Sequence, residues 1–233
     1  AWEGKTEDGT PAGPWLLRTL GVNYTSVCRV DTNGKLSLEV SNDYSGCAIR
    51  PAMRISLDHA EYEIISGTAS EEETENTDAS LHTRSGRFVD TVSLTDAKPG
   101  YVVEFGVYEQ NKDINDGAEP IEWYVLDVKD DKALLLSKYV LDNMPYHKYE
   151  EEITWKNCTL REWLNGTFYE NAFNAEEKQR IATTLLENVW NPWNVLAEYE
   201  YTEDKVFLPS MEDMLSGDYF YTEKAPESAA FTF

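Results

Sequence analysis

The sequence predicts an α+β fold made of small antiparallel sheets and short helices. Short apolar runs separated by turn residues fill the first part of the chain, and helix start signals appear only after a second set of strands. Strand and helix do not alternate in a repeated βαβ pattern, which disfavours a doubly wound parallel sheet. With 233 residues and 41% hydrophobic content, the chain is long enough to bury a core.

The first predicted strands lie between residues 15 and 57. An Asn-Gly pair within 31–34 is typical of a tight hairpin turn. Residues 36–40 alternate apolar and polar side chains, as a half-buried strand does. Residues 48–53 are predicted to form one further strand, which completes a small antiparallel sheet.

The composition changes after this sheet. Residues 70–80 hold five acidic side chains among Ser, Thr and Asn, with no apolar periodicity. We therefore expect 59–97 to be an acidic flexible linker. It would join a first segment, residues 1–58, to a second segment, residues 98–233.

The second segment begins with strands and ends with helices. Strands are predicted at 102–108, 121–128 and 132–141, the last two joined by a hairpin turn at 129–131. Three helix starts follow, each with an N-terminal capping pattern. They are TLRE at 159–162 with a stop at Asn165-Gly166, NAEE at 174–177 for a helix through residue 181, and SMED at 210–213.

The charge of the chain excludes two classes of partner. There are 43 acidic and 20 basic residues, a net charge of -23, so nucleic acid and anionic membrane surfaces are repelled. No apolar run approaches the roughly 18 to 20 residues that span a bilayer. We expect a soluble protein with no nucleic-acid partner and no membrane insertion. The absence of an initial methionine fits a mature secreted product or a piece of a longer protein.

The cysteines do not indicate a disulfide framework or a zinc site. Cys28, Cys47 and Cys158 are odd in number and lack C-x-x-C spacing. A disulfide between Cys28 and Cys47, on neighbouring predicted strands, remains open. Two buried thiols are favoured over it.

The sequence contains no recognisable catalytic or metal-binding motif. His59, His82 and His147 lie in or beside predicted loops without a zinc-binding spacing, which favours solvated side chains. The acidic loop 111–117 departs from a calcium loop in its glycine position and lacks the bidentate glutamate. Nucleophile-elbow and phosphate-loop patterns are also missing. We expect no enzyme activity, no cofactor and no metal.

Six residues are candidates for ligand binding. Aromatic side chains in the loop between the second helix and the strand before 210 can stack on sugars or anchor a partner, although burial in the domain is at least as strongly favoured. Two arginines can bind an anionic ligand, but bonding to strand-end carbonyls or pairing with acids is favoured for them. The candidates are Trp190, Trp193, Tyr199, Tyr201, Arg18 and Arg50.

The second segment resembles the opening part of a bacterial family known as domain-of-unknown-function family 6273. The resemblance rests on VEFGVYEQ at 103–110, EPIEW at 119–123, ALLLSK at 133–138, PY at 145–146, TW at 154–155, CTLREWLN at 158–165 and DKVFLPS at 204–210.

The first segment resembles the closing part of the same family. It carries WLLRTLG at 15–21 and IRPA at 49–52, which contain Arg18 and Arg50. Leu16 and Leu20 stand where a second tryptophan and a proline are usual. The family is similar, more distantly, to the C-type-lectin-like group that includes formylglycine-generating enzymes, but the copper-binding cysteine pair of those oxidases has no counterpart here.

The resemblance implies that the two halves of a C-type-lectin-like domain occur in inverted order. Reading Phe233 into Ala1 restores a continuous family sequence. Three arrangements fit: a circularly permuted monomer, subunits that complete one another head to tail, or one period of a tandem repeat. We expect a non-catalytic bacterial module, extracellular or on the cell surface, that assembles by half-domain complementation. The alternative is a monomeric lectin-like module that binds a glycan or a surface protein.

Overall fold

The computed structural model describes residues 13–32, 34–57, 61–66, 82–84, 87–93, 99–110, 115, 117–188 and 200–215. Strands formed by these residues are β1 (Trp15–Leu20), β2 (Ser26–Val30), β3 (Leu36–Ser41), β4 (Ala48–Ile49), β5 (Ala52–Ser56), β6 (Glu61–Ser66), β7 (His82–Arg84), β8 (Arg87–Ser93), β9 (Val102–Tyr108), β10 (Glu119–Lys129), β11 (Lys132–Ser137), β12 (Asp142–Asn143), β13 (Ile181–Ala182), β14 (Thr184–Asn188), β15 (Glu200–Asp204) and β16 (Val206–Phe207). The helices are a 3-10 turn (Trp155–Asn157), α1 (Thr159–Trp163), a π-helical turn (Leu164–Phe168), α2 (Tyr169–Ala172), α3 (Ala175–Arg180) and α4 (Met211–Leu215).

These elements confirm the predicted α+β class. The smaller main sheet has the strand order β12-β4-β1-β2-β3. The larger has the order β13-β5-β11-β10-β9-β6-β8-β7, with β16 also paired to β5, and β14 and β15 form a separate hairpin. The helices are short, and they do not simply follow the strands of the second segment as predicted, because β13 to β16 lie between α3 and α4.

Both main sheets combine strands from the two segments. In the larger sheet, β5 of the first segment pairs antiparallel with β11 over Ala52 to Ser56, and with β13 and β16 of the second segment. In the smaller sheet, β12 of the second segment pairs with β4 at Asp142 and Ile49. The first segment therefore does not form a sheet of its own.

The predicted strand at 48–53 is wrong in one respect, because the structure divides it into two. β4 pairs parallel with β1 through Ala48 and Trp15, whereas β5 belongs to the larger sheet. The break falls at Arg50 and Pro51. Proline has no backbone N–H to donate to a ladder, so the chain leaves one sheet here and enters the other.

Three strands lie within the predicted linker. β6 pairs with β9 through Ile64 and Val103, and β8 pairs with both β6 and β7. The sequences EYEIIS and RFVDTVS carry the β-branched and aromatic residues typical of strands. The prediction of a linker was based on the acidic residues between these two sequences and overlooked both strands. This part differs from the flexible chain that we expected. The acidic stretch 70–80 lies outside the described residues, and the segment boundaries stay a prediction.

The two predicted hairpins are confirmed. β2 and β3 pair antiparallel on either side of the turn that ends at Gly34. β10 and β11 are joined at Asp130 and Asp131, which have φ of 51° and 55°. Positive φ at both central residues is the geometry of a type I′ turn, where aspartate is tolerated.

The first helix begins and ends differently from the prediction. Its N-cap is Cys158, whose sulfur accepts the N–H of Arg161 at 3.4 Å, rather than the expected Thr159. The helix continues past the expected stop at Asn165 as the π-helical turn and α2. The side chain of Asn165 accepts the backbone N–H of Lys205 at 2.8 Å and donates to the carbonyl oxygen of Arg161 at 3.1 Å, within the continuing helix.

The other two helix starts are confirmed. Asn174 and Glu177 form a reciprocal capping box at α3, which ends at Arg180. At α4 the N–H of Asp213 bonds the hydroxyl of Ser210 at 3.0 Å, and the N–H of Ser210 bonds the Asp213 carboxylate at 2.7 Å.

One hydrophobic core joins the two segments. Trp15 of the first segment and Trp123 and Trp155 of the second belong to the same buried cluster, with exposed fractions of 0, 0 and 1%. Trp123 donates its indole N–H to the carbonyl oxygen of Phe105 at 2.7 Å. Separating the segments would expose this apolar surface to water.

Candidate functional site

Three of the six sequence-predicted ligand residues lie outside the described residues. These are Trp190, Trp193 and Tyr199, so their role stays a prediction. Arg18, Arg50 and Tyr201 are described, and the structure does not bring all three together.

Arg50 is buried where the chain passes between the sheets. Only 1% of it is exposed, and its guanidinium donates to the carbonyl oxygen of Ser137 at 2.8 and 3.1 Å and to that of Lys138 at 3.3 Å. The same group lies 5.1 Å from the centre of the Trp15 ring. Burial lowers the pKa of Arg50 to about 10. These contacts favour the structural role that the sequence suggested for this residue.

Arg18 lines a cleft of about 280 Å³ that lies where the two segments meet. Its floor is one face of the larger sheet, and its walls come from β1, α4 and the β14–β15 hairpin. The residues around it are Arg18, Ala52, Arg54, Leu126, Leu134, Thr184, Leu185, Leu186, Glu187, Phe207, Pro209, Glu212 and Asp213.

The pairing register explains the apolar floor. Arg54 lies opposite Leu134, and Ala52 lies opposite Phe207 on the other side of β5. Met53 and Ile55 alternate with these residues and are fully buried in the core. Since successive strand residues point to opposite faces, the cleft occupies the sheet face away from Met53 and Ile55.

Arg18 joins β1 to the start of α4. Its Nη1 donates to the carboxylate of Asp213 at 2.7 Å and to the carbonyl oxygen of Leu208 at 3.0 Å. Burial raises the pKa of Asp213, but Arg18 and the bonds from Ser210 more than offset this and hold it below its ordinary value. The pair therefore stays ionised at neutral pH and ties the first segment to the second.

Tyr201 lies at the edge of this region. It is 56% exposed, and its hydroxyl donates to the carboxylate of Glu187, which lines the cleft, at 3.1 Å. Leu185 on the paired strand is 65% exposed. The hairpin thus presents an aromatic and an aliphatic side chain beside the cleft.

Arg54 is the cleft residue that sequence reasoning missed. It is half-buried on β5 and lines the cleft. The signal was the strand sequence AMRIS, in which Arg54 falls between two core residues. A cation on the outer face of an otherwise apolar strand needs a partner or a solvated opening.

His147 is not the solvated loop histidine that the sequence favoured. It is 5% exposed. Its Nε2 lies 2.7 Å from the carboxylate of Glu151, and its Nδ1 accepts the N–H of Thr159 at 3.2 Å. The ring thereby fixes the chain ahead of α1.

The three cysteines are buried free thiols, as the favoured interpretation predicted. Burial raises the pKa of Cys28 to about 12 and that of Cys158 to about 12. Burial also raises the pKa of Cys47. Because the thiolate is the reactive form, these side chains are poor nucleophiles at neutral pH.

Among the residues that the structure describes, no group of three or more His, Cys, Asp or Glu side chains is arranged to hold a metal ion. None of the helices in the described ranges has the length and apolar character needed to cross a membrane.

Comparison with known proteins gives one match. No curated protein and no solved structure matches the chain. A family model described as Domain of unknown function (DUF6273) matches residues 130–232, which is under half of the 233 residues. The matched part contains β11 to β16 and the described helices, so most of the second segment is similar to this family.

Proposed function

We propose that the protein is a non-catalytic, extracellular module that assembles by half-domain complementation. In this proposal the two segments are the closing and opening halves of a C-type-lectin-like domain in inverted order. The first segment of one subunit or repeat completes the second segment of its neighbour, which builds a filament or a tandem array on the bacterial cell surface.

The observation that supports this proposal is the position of β5. This strand is interior to the larger sheet, with β11 on one side and β13 and β16 on the other. Without it, the second segment would leave the edge of β11 unpaired and Leu135 uncovered, and such an edge is a template for a strand from another chain. A neighbouring subunit also carries β5, which can pair with this edge of β11 as the chain's own β5 does.

The chemistry of the polar groups also favours a role without catalysis. Cys158 has a thiol pKa of about 12, far from that of an activated nucleophile. Both ring nitrogens of His147 are engaged, by Glu151 and by the N–H of Thr159. These groups stabilise the fold and are poorly placed to transfer protons.

A charge exchange across the Arg18–Asp213 contact tests the proposal. The contact joins the first segment to the second at 2.7 Å. Arg18→Asp and Asp213→Arg each place like charges together, which we expect to weaken the join by about 2 to 4 kcal/mol. If neighbours complete one another, an equimolar mixture of the two variants restores every join, and light scattering over a concentration series finds a mass that grows.

The double variant Arg18→Asp/Asp213→Arg is the matched control, because it restores opposite charges whether the join lies within or between chains. Wild-type protein should also increase in mass with concentration. A folded double variant together with an unrescued mixture and a constant monomer mass would contradict the assembly proposal.

That outcome would favour the second candidate, a monomeric lectin-like module that binds a glycan or a surface protein. The observation in its favour is the cleft, which gives a ligand a small site lined by residues of both segments. The exposed Tyr201 beside the cleft suits contact with a sugar or a partner.

A further inference from the structure

Arg54 is a cation that the fold leaves available. It lines the cleft and is half-buried, and its side chain makes no ion pair or hydrogen bond with any residue in the described part of the chain. A guanidinium held partly out of water without a partner is unfavourable. A ligand with an anionic group would supply that partner.

Arg18 also lines the cleft, but its charge is paired with Asp213. Its Nη1 is occupied by Asp213 and Leu208, but its Nε is buried and has no hydrogen-bond partner among the described residues. Only 6% of Arg18 is exposed. Since the Nε is enclosed by protein atoms, a ligand in the cleft does not reach it, and Arg54 is the cation that faces a ligand.

Two carboxylates lie at the rim of the cleft. Glu187 and Glu212 are both exposed and line it, and in the described ranges neither lies within ion-pair distance of Arg54. Asp213 is already neutralised by Arg18. The charged groups of the cleft that a ligand can pair with are therefore the Arg54 guanidinium and, at the rim, the carboxylates of Glu187 and Glu212.

The remaining surface of the cleft is apolar and small. It is formed by aliphatic side chains, Phe207 and Pro209, with Thr184 as its one hydroxyl residue. The volume of about 280 Å³ lies just below the roughly 300 to 1,000 Å³ typical of ligand sites. A ligand that fills it has few atoms, an apolar body and charges of both signs.

We propose that this cleft binds a free α-amino acid with an apolar side chain. Its carboxylate pairs with Arg54. Its ammonium group lies toward Glu187 and Glu212, and its side chain contacts Leu134 and the other apolar residues of the floor. Ligand charge of both signs matters because a simple anion would be repelled by the acids at the rim.

The inference goes beyond the proposed assembly and does not depend on its outcome. The cleft forms when the two segments join, whether within one chain or between neighbours, because Arg54 comes from the first segment and Glu212 from the second. Failure of amino-acid binding leaves the complementation experiment unchanged, and the reverse also holds.

The test is titration calorimetry of the full chain with L-leucine. Binding of L-leucine is expected, whereas leucinamide, which lacks the carboxylate, and N-acetyl-leucine, which lacks the ammonium group, should bind at least about tenfold more weakly. Arg54→Gln should weaken L-leucine binding about 10- to 100-fold, and Glu212→Gln should weaken it by a smaller factor.

Lys132→Gln is the matched control, since Lys132 is an exposed cation on the neighbouring strand β11 and lies outside the cleft lining. Its affinity for L-leucine should equal that of the wild type. The Arg54 side chain has no ion-pair or hydrogen-bond partner among the residues that the structure describes, so the Gln variant is expected to fold, which circular dichroism checks. No heat with L-leucine, equal affinity for N-acetyl-leucine, or unchanged affinity in Arg54→Gln would each overturn the proposal.

Discussion

The arginines of the first segment differ in burial and in role: two are enclosed and stabilise the fold, and a third faces the cleft. Arg50 is enclosed by carbonyl oxygens and the Trp15 ring, and Arg18 is fixed by Asp213. Both had been selected from the sequence, and both stabilise the join between the segments. Arg54 was not selected, because its single-residue signal is visible only when β5 is known to have one face in the core and one in a cleft.

The buried thiols predict a loss of stability at alkaline pH. An unfolded thiol loses its proton near pH 9, whereas Cys28 and Cys158 keep theirs to about 12. Their contribution is complete below pH 9 and is lost as the pH rises from 9 toward 12, at about 1.4 kcal/mol per pH unit for each thiol. Urea unfolding of the variant Cys28→Ala/Cys158→Ala should give a shallower loss over this window than the wild type.

Val27→Ala is the control for that comparison. Val27 is a fully buried neighbour on the same strand as Cys28, and its truncation leaves a cavity without removing a proton-binding group. It should lower the free energy of unfolding equally at every pH. A wild-type-like alkaline slope in the double cysteine variant would contradict the prediction.

At the scale of elements, Gly106 fixes how β9 meets the helical region. It has φ of 73°, and an added Cβ would lie 2.6 Å from the Phe173 ring and 2.8 Å from the carbonyl oxygen of Ala172. Its N–H also donates to the carboxylate of Glu177 at 3.0 Å. Strand, ring and helix therefore meet at a position that only glycine can occupy.

We expect Gly106→Ala to destabilise the protein by about 2 to 4 kcal/mol, because it combines unfavourable φ with a steric clash. Gly117→Ala, at φ of 86° with open space around it, should cost about 1 kcal/mol. Gly166→Ala has open space and lies in the π-helical turn, so it should be neutral or slightly stabilising. Thermal unfolding of the three variants checks this order, and an equal effect of all three would refute the explanation.

Local patterns predicted the elements better than their connections. The hairpin turn at Asp130 and Asp131 and the capping box at Asn174 depend on residues within a few positions of one another, and both were recovered. The extension of the helix past Asn165 was missed, and there the Asn165 side chain bonds to Lys205, forty residues away. The division at Pro51 was also missed, since the choice between two sheets is a tertiary one.

At the scale of the molecule, the sequence predicted the α+β class. It did not predict the cleft, whose lining comes from six separate strands, from α4 and from Pro209, which precedes α4. Patterns of residues can indicate that a face is apolar. They do not indicate which faces will be brought together.

The net charge of -23 predicts that salt stabilises the fold. Acidic repulsion within a compact chain is screened when the Debye length falls to about 10 Å at 0.1 M salt. The midpoint of thermal unfolding should therefore rise between low and moderate sodium chloride, measured by circular dichroism at fixed protein concentration. A matched concentration of an uncharged solute is the control, and an unchanged or lower midpoint in salt would contradict the prediction.

The interior position of β5 also has a consequence for folding kinetics. Arg18 and Leu208, which bond to each other, are 190 positions apart, and Met53 pairs with both Leu135 and Val206. On a ribosome, β5 is made before β11, β13 and β16, so its ladder is completed only when those strands have followed it. A topology with such distant contacts folds slowly.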